Sequence, residues 1–320
     1  MRFVCADGEP QYRALLDEQL LEKLRAAGHE LAWFDGRPPD ADAWVERLHG
    51  CDGVLLLWPM PAGVLVLVPS VRVVSFAGTG IEAYVDVEEA RRLGIALCNV
   101  PGYGANAVAE HAFALALAVA RSVAAGDRTV RSGRWGPGEG KYAGVELRGR
   151  RLGVVGAGPI GSRAVAIGRG LGMHVVAWTR SPSPERASEL GAPFVALAEL
   201  FRTADVVTLH LAHRPETERV VDARLLGLLG PDAIFVNTAR AQLVDTDALV
   251  AVLERGAILG AGLDVFEAEP LPRDHPLLRL DNVVLTPHIG FNTPQASAEL
   301  MRIALENIVA FAAGRPQNLV

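Results

Sequence analysis

Short runs of hydrophobic residues alternate with helical patterns along the first hundred residues. The apolar runs predict five strands, at residues 2–6, 29–34, 53–58, 72–76 and 95–100. Between them, hydrophobic residues recur at the spacing of one helix face, which predicts helices at residues 12–26, 42–48 and 82–93. Strands that alternate with helices in this way indicate a parallel, doubly wound sheet.

The rest of the chain repeats this alternation. Six further apolar runs predict strands at residues 152–155, 173–178, 204–211, 233–237, 258–265 and 283–286. Helical patterns predict a long apolar helix at residues 105–125 and a last helix at residues 294–313. A Gly- and Arg-rich connection joins the two parts at residues 133–149, and its Trp135 and Tyr142 are expected either to anchor it or to lie in a subunit contact.

A glycine motif occupies the turn between the strand at 152–155 and the helix that follows it. Its residues are Gly156, Ala157, Gly158, Pro159, Ile160 and Gly161. The first glycine permits a tight turn, the second lets the backbone approach a pyrophosphate, and the third lets helix and strand pack closely. The helix start favours negative charge. A glycine turn without a ligand is the alternative, but the flanking strands and helix favour dinucleotide binding.

These patterns together predict an α/β fold with two doubly wound parallel-sheet domains. The second is predicted to be a Rossmann dinucleotide-binding domain at residues 101–289. Residues 1–100 and 290–320 are predicted to form a discontinuous substrate-binding domain, because the last helix returns to the first part. We expect a cleft between the domains to shelter the reaction.

Composition narrows the function classes. The chain has 320 residues, a formal net charge of −6 and three cysteines, Cys5, Cys51 and Cys98. The negative charge argues against a nucleic-acid partner. No apolar run is long enough to span a bilayer, and the first residues lack a signal-peptide pattern, so we expect no membrane partner. Scattered cysteines beside apolar runs suggest buried thiols in a reducing cytoplasm, and no residue spacing predicts a metal site.

Polar residues follow three of the predicted strands in the second domain. Arg240 follows residues 233–237, Asp264 and Glu269 follow residues 258–263, and His288 follows residues 283–285. A guanidinium can bind a carboxylate through two hydrogen bonds. An imidazolium can protonate a carbonyl oxygen, and a neighbouring carboxylate favours that charged form. These residue types are what reduction of a 2-oxo acid requires. A surface arginine, a helix cap and a core histidine are the structural alternatives.

Three segments carry a resemblance to a known family. NTARAQLVDTDAL (237–249), GLDVFEAEPLP (262–272) and TPHIG (286–290) resemble the C-terminal signatures of the D-isomer-specific 2-hydroxyacid dehydrogenases. Residues 99–121 resemble that family's interdomain helix, and the glycine motif lies where the family has it. The similarity covers nearly the whole chain and is far more specific for family than for substrate.

The resemblance implies roles for individual residues. Arg240 would orient the substrate, Glu269 would pair with His288, and His288 would act as acid and base. Asp264 would bind the nicotinamide carboxamide. Backbone N–H groups would hold the substrate carboxylate. Trp58 would line the substrate site, where its large ring suggests a hydrophobic wall, and a core residue is the alternative for it. The carboxylate-binding segment comprises Ala77, Gly78, Thr79 and Gly80, and the further cofactor-binding residues are Thr238, Ala239 and Gly290. The family also implies a homodimer.

Four places depart from the family pattern. Ala241 stands where glycine is usual, residues 211–214 replace a Pro-Leu-Thr-like turn, and residues 77–81 differ from the usual Gly-x-Gly-x-Asp. The fourth concerns the cofactor, because Thr179, Arg180 and Ser181 follow the second strand of the domain where NAD-specific folds have an acid. Hydrogen-bond donors there predict that NADP is preferred. If Arg180 only lies along the adenine site, NAD is also usable.

The predicted function is NAD(P)H-dependent reduction of a small 2-oxo acid to the D-2-hydroxy acid, similar to glyoxylate and hydroxypyruvate reductases. Two alternatives stay open at this point. One is other oxidation on the same scaffold, such as phosphite oxidation, whereas Glu269 argues against formate oxidation. The other is a dinucleotide-sensing, corepressor-like binding protein, against which Arg240, Glu269 and His288 argue together.

Overall fold

The computed structural model of the chain describes residues 1–136 and 143–320. Within these ranges the chain forms two compact units. Unit 1 consists of Met1–Gly104 and Asn292–Val320, and unit 2 consists of Ala105–Phe291. Unit 1 is therefore discontinuous, because the chain leaves it to form unit 2 and then returns. Tyr142 lies outside the described residues.

Strands and helices alternate through both units. The strands are β1 (Arg2–Gly8), β2 (Glu30–Asp35), β3 (Gly53–Leu56), β4 (Val73–Phe76), β5 (Ala96–Cys98), β6 (Arg151–Val155), β7 (His174–Trp178), β8 (Val206–Leu209), β9 (Ile234–Asn237), β10 (Gly260–Leu263) and β11 (Val283–Leu285). The helices are α1 (Pro10–Arg13), α2 (Glu18–Ala26), α3 (Ala41–Leu48), α4 (Val64–Leu67), α5 (Val87–Arg92), α6 (Ala105–Ala120), α7 (Val123–Arg131), α8 (Pro159–Gly170), α9 (Pro184–Leu190), α10 (Leu197–Thr203), α11 (Ala223–Leu226), α12 (Thr246–Glu254) and α13 (Pro294–Ala312).

The sheet of unit 1 has five parallel strands in the order β2-β1-β3-β4-β5. β3 and β4 are buried along their whole length because helices cover both faces of the sheet. One face packs against Trp44 and Leu48 of α3. The other packs against Leu24 of α2 and against Met301 and Ile308 of α13, so the last helix completes this core.

The sheet of unit 2 has six parallel strands in the order β11-β10-β9-β8-β6-β7. The chain starts in the middle of this sheet, and β6 lies between β7 and β8. Phe113 of α6 and Ala164 of α8 pack on one face, whereas Phe201 of α10 packs on the other. Both units are parallel sheets covered by helices on both faces, which confirms the predicted α/β fold.

Three predicted helices are shorter or divided in the structure. The prediction for residues 12–26 is wrong because the carboxylate of Asp17 accepts a hydrogen bond from Leu20 N and begins α2 after a break. Asp86 begins α5 in the same way, which divides residues 82–93. The apolar helix ends at Ala120, and Ser122 has a left-handed backbone (φ 51°) that α6 cannot continue through.

One bent pair of helices stands out by its apolar composition. No single helix among the described residues is long and apolar enough to cross a membrane, whereas α6 and α7 pass that test together with a bend of 64° between them. Much of α6 is buried in unit 2. Trp135, just beyond α7, is 75% exposed and so does not anchor the connection by burial.

Candidate active site

The predicted catalytic residues follow neighbouring strands of unit 2. Arg240 follows β9, Asp264 follows β10 and His288 follows β11, and these three strands are adjacent in the sheet. The glycine motif follows β6, and Arg180 follows β7. Because all six strands are parallel, these residues lie at one edge of the sheet, where open α/β sheets bind ligands.

His288 and Glu269 form the central pair of this edge. His288 Nδ1 lies 2.8 Å from Glu269 Oε2, and Glu269 Oε1 accepts a hydrogen bond of 3.0 Å from Phe266 N. Both side chains are about one-third exposed. Since Nδ1 faces the carboxylate, Nε2 is the ring nitrogen left for a substrate. The pair can therefore deliver a proton to a bound carbonyl oxygen.

Asp264 holds the segment that carries His288. Its side chain is buried, and it accepts hydrogen bonds from Thr286 Oγ1 (2.6 Å), Ile289 N (2.9 Å) and Gly290 N (2.8 Å). Burial alone would raise the pKa of Asp264, but hydrogen bonds from His111, Thr286 and the two backbone N–H groups lower it below its usual value. Asp264 is therefore ionised and fixes the residues on both sides of His288.

His111 is a member of this site that the sequence did not identify. Its Nε2 lies 2.9 Å from Thr286 Oγ1 and 3.4 Å from Asp264 Oδ1. A histidine in a long apolar helix looks like a core residue in the sequence, and only the packing of α6 against the sheet brings it to Asp264. The signal that could have found it is a polar side chain among the apolar residues of α6.

The turn that carries Arg240 is fixed by Asn237. The side chain of Asn237 donates to Arg240 O (2.9 Å) and accepts from Ala239 N (3.0 Å), which closes the turn. Arg240 is half-buried, and its Nη1 donates to Ala239 O (2.7 Å). Among the described residues it makes no ion pair with Glu269. Its remaining N–H groups are available for a carboxylate.

The glycine motif has the shape that a dinucleotide requires. A Cβ on Gly156 would lie 2.4 Å from His210 O, and a Cβ on Gly161 would lie 1.8 Å from Gly156 O. A Cβ on Gly158 would meet only open space. Gly158 is the N-cap of α8 and has no side chain, so N–H groups of the first turn, including that of Ile160, are left for an anion.

Two buried polar atoms beyond neighbouring strands of this sheet have no hydrogen-bond partner within the described ranges. They are Thr238 Oγ1, beyond β9, and His210 Nδ1, beyond β8. Burial lowers the pKa of His210 to about 3, so this imidazole is neutral, and its other nitrogen lies 3.0 Å from Thr208 Oγ1. Unpaired polar atoms are costly in a protein interior, so these two fit a site that a polar ligand completes. The residues thus fit a dinucleotide.

The segment after β7 carries side chains that donate hydrogen bonds, and it has no carboxylate. Thr179, Arg180 and Ser181 directly follow β7, and Arg180 is exposed. The side chain of Arg186 donates to Ser181 O, and Arg186 N donates to Ser183 Oγ (3.2 Å), which fixes this segment to the start of α9. In the sequence no carboxylate precedes Glu185 here.

In unit 1, Trp58 is held by a buried acid that the sequence did not identify. Asp7 Oδ2 accepts hydrogen bonds from Leu57 N (3.0 Å) and Trp58 N (2.6 Å). Asp7 is completely buried, and burial raises its pKa to about 6 despite these two bonds. Its signal in the sequence is an acid directly after the first apolar run. The face of Trp58 is not bare, because Arg37 Cζ lies 3.5 Å from the ring centroid.

Two N–H groups of the predicted carboxylate-binding segment already donate to backbone carbonyl groups. Ala77 N donates to Leu56 O (2.8 Å), and Gly78 N donates to Phe76 O (2.9 Å). Asn99 Nδ2 donates to Thr79 O (3.1 Å) and steadies the turn. Within the described part of the chain, the N–H groups of Thr79 and Gly80 are the two of this segment without a backbone partner.

Comparison with known proteins places this arrangement in a family. The model of the D-isomer specific 2-hydroxyacid dehydrogenase, NAD binding domain, matches residues 113–290. A glyoxylate reductase of Aeropyrum pernix is 40% identical over 296 residues, which are 90% of this chain and 88% of that protein.

Solved structures agree with this match. A D-lactate dehydrogenase of Treponema pallidum has a TM-score of 0.87 and 26% identity, with 100% of this chain and 99% of that chain covered. An acyclic imino acid reductase in complex with NADPH and D-Arg has a TM-score of 0.84 and 29% identity over 100% of both chains. The fold of the present chain, the residues at its strand ends and these similarities all indicate the same family. The chain belongs to the D-isomer specific 2-hydroxyacid dehydrogenase family.

Proposed function

We propose that the protein reduces a small 2-oxo acid to the D-2-hydroxy acid with NADPH or NADH, and that glyoxylate and hydroxypyruvate are among its substrates. The observation that carries this proposal is the pair of His288 and Glu269, 2.8 Å apart, in a chain of this family. The identity of 40% to a glyoxylate reductase supports the choice of substrate.

The side chains of unit 2 divide the chemistry between them. A bound reduced nicotinamide supplies a hydride to the carbonyl carbon. His288 Nε2 donates a proton to the carbonyl oxygen, and Glu269 stabilises the imidazolium from the side of Nδ1. Arg240 binds the substrate carboxylate through its free N–H groups. Asp264 keeps the segment around His288 in place.

We assign dinucleotide binding to unit 2 and substrate binding to unit 1. The glycine motif and the unpaired Thr238 Oγ1 support the first assignment. The unpaired N–H groups of Thr79 and Gly80 support the second, since two adjacent backbone donors suit a carboxylate. Residues 1–104 and 292–320 are then the substrate-binding domain.

A panel of 2-oxo acids with both cofactors tests the function. Glyoxylate, hydroxypyruvate and pyruvate should each be assayed with NADPH and NADH, with His288→Asn as the inactive reference. Turnover of at least one acid, far above the rate of the variant, is the expected result. A wild-type protein that binds NADPH and reduces none of the three would contradict the proposal.

For the cofactor, we propose that NADPH is preferred and NADH is usable. Arg180 can pair with a 2′-phosphate, and the hydroxyl groups of Thr179 and Ser181 can donate to it. The NADPH bound to the related imino acid reductase supports this choice. Arg180→Ala should weaken NADPH binding far more than NADH binding, whereas the exposed Arg255→Ala should affect neither. Equal weakening of both cofactors would reject the preference.

Two further properties belong to this proposal. We propose a cytoplasmic location, supported by three free, buried cysteines, and cell fractionation would test it. We also propose a homodimer, supported by exposed apolar side chains on α6, on α7 and just beyond it. Neither nucleic acid nor membrane is proposed as a partner.

A further inference from the structure

The guanidinium of Arg37 lies over the ring of Trp58 in unit 1. The distance from Arg37 Cζ to the centroid of the indole ring is 3.5 Å, within the range of a cation–π contact. The backbone that carries the indole is fixed, because Trp58 N and Leu57 N both donate to the buried Asp7. The guanidinium therefore contacts an aromatic ring whose backbone is held in place.

The segment that carries Arg37 is fixed as well. Arg47 Nη1 donates to Gly36 O (2.5 Å) and to Ala6 O (2.5 Å), which ties the turn before Arg37 to β1. Gly36 N donates to Gly8 O (2.7 Å), and the next residue after Arg37 is the buried Pro38. The backbone on both sides of Arg37 is thus anchored. This lowers the conformational entropy that the segment loses when Arg37 binds a ligand.

The position of Arg37 is where this kind of sheet binds ligands. Arg37 follows β2 and Trp58 follows β3, while β1 lies between these strands. From β1 the chain adds β2 on one side of the sheet and then β3, β4 and β5 on the other side. The crevice at this switch between β1 and β3 is the usual ligand site of such sheets. The Arg37 side chain is 54% exposed, so it can reach a ligand there.

The positive charge of Arg37 has only a weak ion-pair partner, Glu9. Glu9 Oε1 is 3.9 Å from Arg37 Nη2, and the other oxygen of Glu9 accepts a hydrogen bond from Gln11. An exposed pair at that distance contributes little. A guanidinium is planar and its N–H groups lie in that plane, where they can form two hydrogen bonds to a carboxylate.

Resting on the proposed function, we propose that Arg37 determines specificity by binding a second carboxylate at the far end of the substrate. Trp58 and the N–H groups of Thr79 and Gly80 follow β3 and β4, which are neighbouring strands, and neighbouring strands are about 5 Å apart. A four- or five-carbon 2-oxo diacid fits such a span. The wall at Trp58 is then cationic rather than hydrophobic.

Pairs of substrates that differ only in the distal carboxylate test this. 2-Oxoglutarate is compared with 2-oxopentanoate and oxaloacetate with 2-oxobutanoate, with glyoxylate as the reference substrate. Arg37→Gln removes the charge, and Arg37→Lys keeps the charge without the planar fork. Arg25→Gln is the matched control, because Arg25 is a similarly exposed arginine of unit 1 with a side-chain exposure of 59%.

Arg37→Gln should lower kcat/KM for both diacids about 10- to 100-fold, mainly through KM, since a charge-assisted contact in ground and transition state is lost. The rates with glyoxylate and the uncharged partners should stay within about threefold, and Arg37→Lys should recover part of the loss. Arg25→Gln should leave all five substrates unchanged.

Three results would overturn the proposal. One is an equal effect of Arg37→Gln on the charged and uncharged substrates. Another is a loss of diacid preference in Arg25→Gln as well. The third is a wild-type protein that reduces glyoxylate but neither reduces 2-oxoglutarate or oxaloacetate nor is inhibited by them. Failure to reduce any 2-oxo acid would instead contradict the proposed function itself.

Discussion

The backbone of His288 lies in the left-handed region, with φ at 54°. A non-glycine residue costs about 1 kcal/mol there, so neighbouring contacts must hold it. Asp264 supplies them through hydrogen bonds from Thr286, Ile289 and Gly290 on both sides of the histidine. The imidazole is therefore positioned by a carboxylate it does not touch. Strain at this residue is consistent with a site where orientation matters more than local stability.

His288→Asn is the first prediction at this scale. It removes the proton donor, and kcat should fall about 10²- to 10⁴-fold, the usual size of a lost general acid. The affinity for the reduced cofactor, measured by fluorescence titration, should stay nearly unchanged because the glycine motif is far along the sheet from β11. Glu269→Gln should keep the contact to Nδ1 without the charge and lose less activity. Wild-type turnover by His288→Asn would rule out its assignment as the acid.

Asp7 gives a second prediction, on the pH dependence of stability. Burial raises its pKa from 3.8 to about 6, so the folded state holds a proton that the unfolded chain releases. The free energy of unfolding should therefore decrease as pH rises from 4 to 6, by up to about 3 kcal/mol, and stay level above pH 6. Asp7→Asn can still accept from Leu57 N and Trp58 N and should remove this decrease.

Urea unfolding at pH 4.5 and pH 7.5, followed by a signal from unit 1, measures the effect. Asp52 is a control, because its pKa is shifted in the opposite direction to that of Asp7. Hydrogen bonds from Arg2 N and Arg72 lower its pKa despite some burial, so its contribution is lost as pH falls. Because that loss occurs below the ordinary pKa of 3.8, Asp52→Asn should change the stability at pH 4.5 and at pH 7.5 by nearly the same amount. A pH profile of Asp7→Asn that parallels wild type would exclude Asp7 as the cause.

At the scale of elements, strands were predictable and helix ends were less so. The strands β3, β4, β8 and β9 are largely apolar runs because they are buried along their whole length, and such runs are visible in one sequence. Helix ends depend on single capping side chains such as Asp17 and Asp86, which the apolar periodicity does not show. The predicted pair of Glu269 and His288 is present because both follow the ends of adjacent strands.

Asp7 and His111 were missed for a different reason. Their partners are 50 and 175 residues away in the chain, at Leu57 and Thr286. Such contacts arise from strand order and helix packing, so a local pattern can mark these residues as unusual but does not identify their partners. Arg37 on Trp58 belongs to the same class. A single sequence thus located the candidate catalytic groups at strand ends but not the side chains that hold them.

The junction of β6 and α8 gives a prediction at this scale. A Cβ at Gly161 would lie 1.8 Å from Gly156 O, so Gly161→Ala must push the helix away from the strand. We expect Tm to fall by roughly 3–10 °C and the dissociation constant of NADPH to rise at least about tenfold. Gly170→Ala, in the same helix with nothing within 4 Å of the new Cβ, should bind NADPH normally and be slightly stabilised. Equal behaviour of the two variants would contradict this account.

At the scale of the whole molecule, unit 1 depends on the last helix of the chain. Ser75 Oγ of β4 donates to Ala304 O (2.8 Å), and Asn307 Nδ2 donates to Asn99 O (2.9 Å). Both bonds join α13 to the sheet across more than 200 residues of chain. Truncation before α13 would expose the apolar side chains around Met301 and Ile308. The core of unit 1 is therefore complete only after unit 2 has been synthesised.

The last prediction concerns the association of two copies of the chain. Val123 and Val130 are each 56% exposed, and Trp135 is 75% exposed. Apolar side chains close together on one stretch suit a protein interface. Light scattering after size exclusion should give twice the chain mass of 34.0 kDa. Val130→Asp should shift the protein towards monomer by placing a charge in the interface, whereas Leu93→Asp, at a residue 42% exposed in unit 1, should leave the mass unchanged. A monomeric wild type, or an equal response of both variants, would show that this face does not pair the subunits.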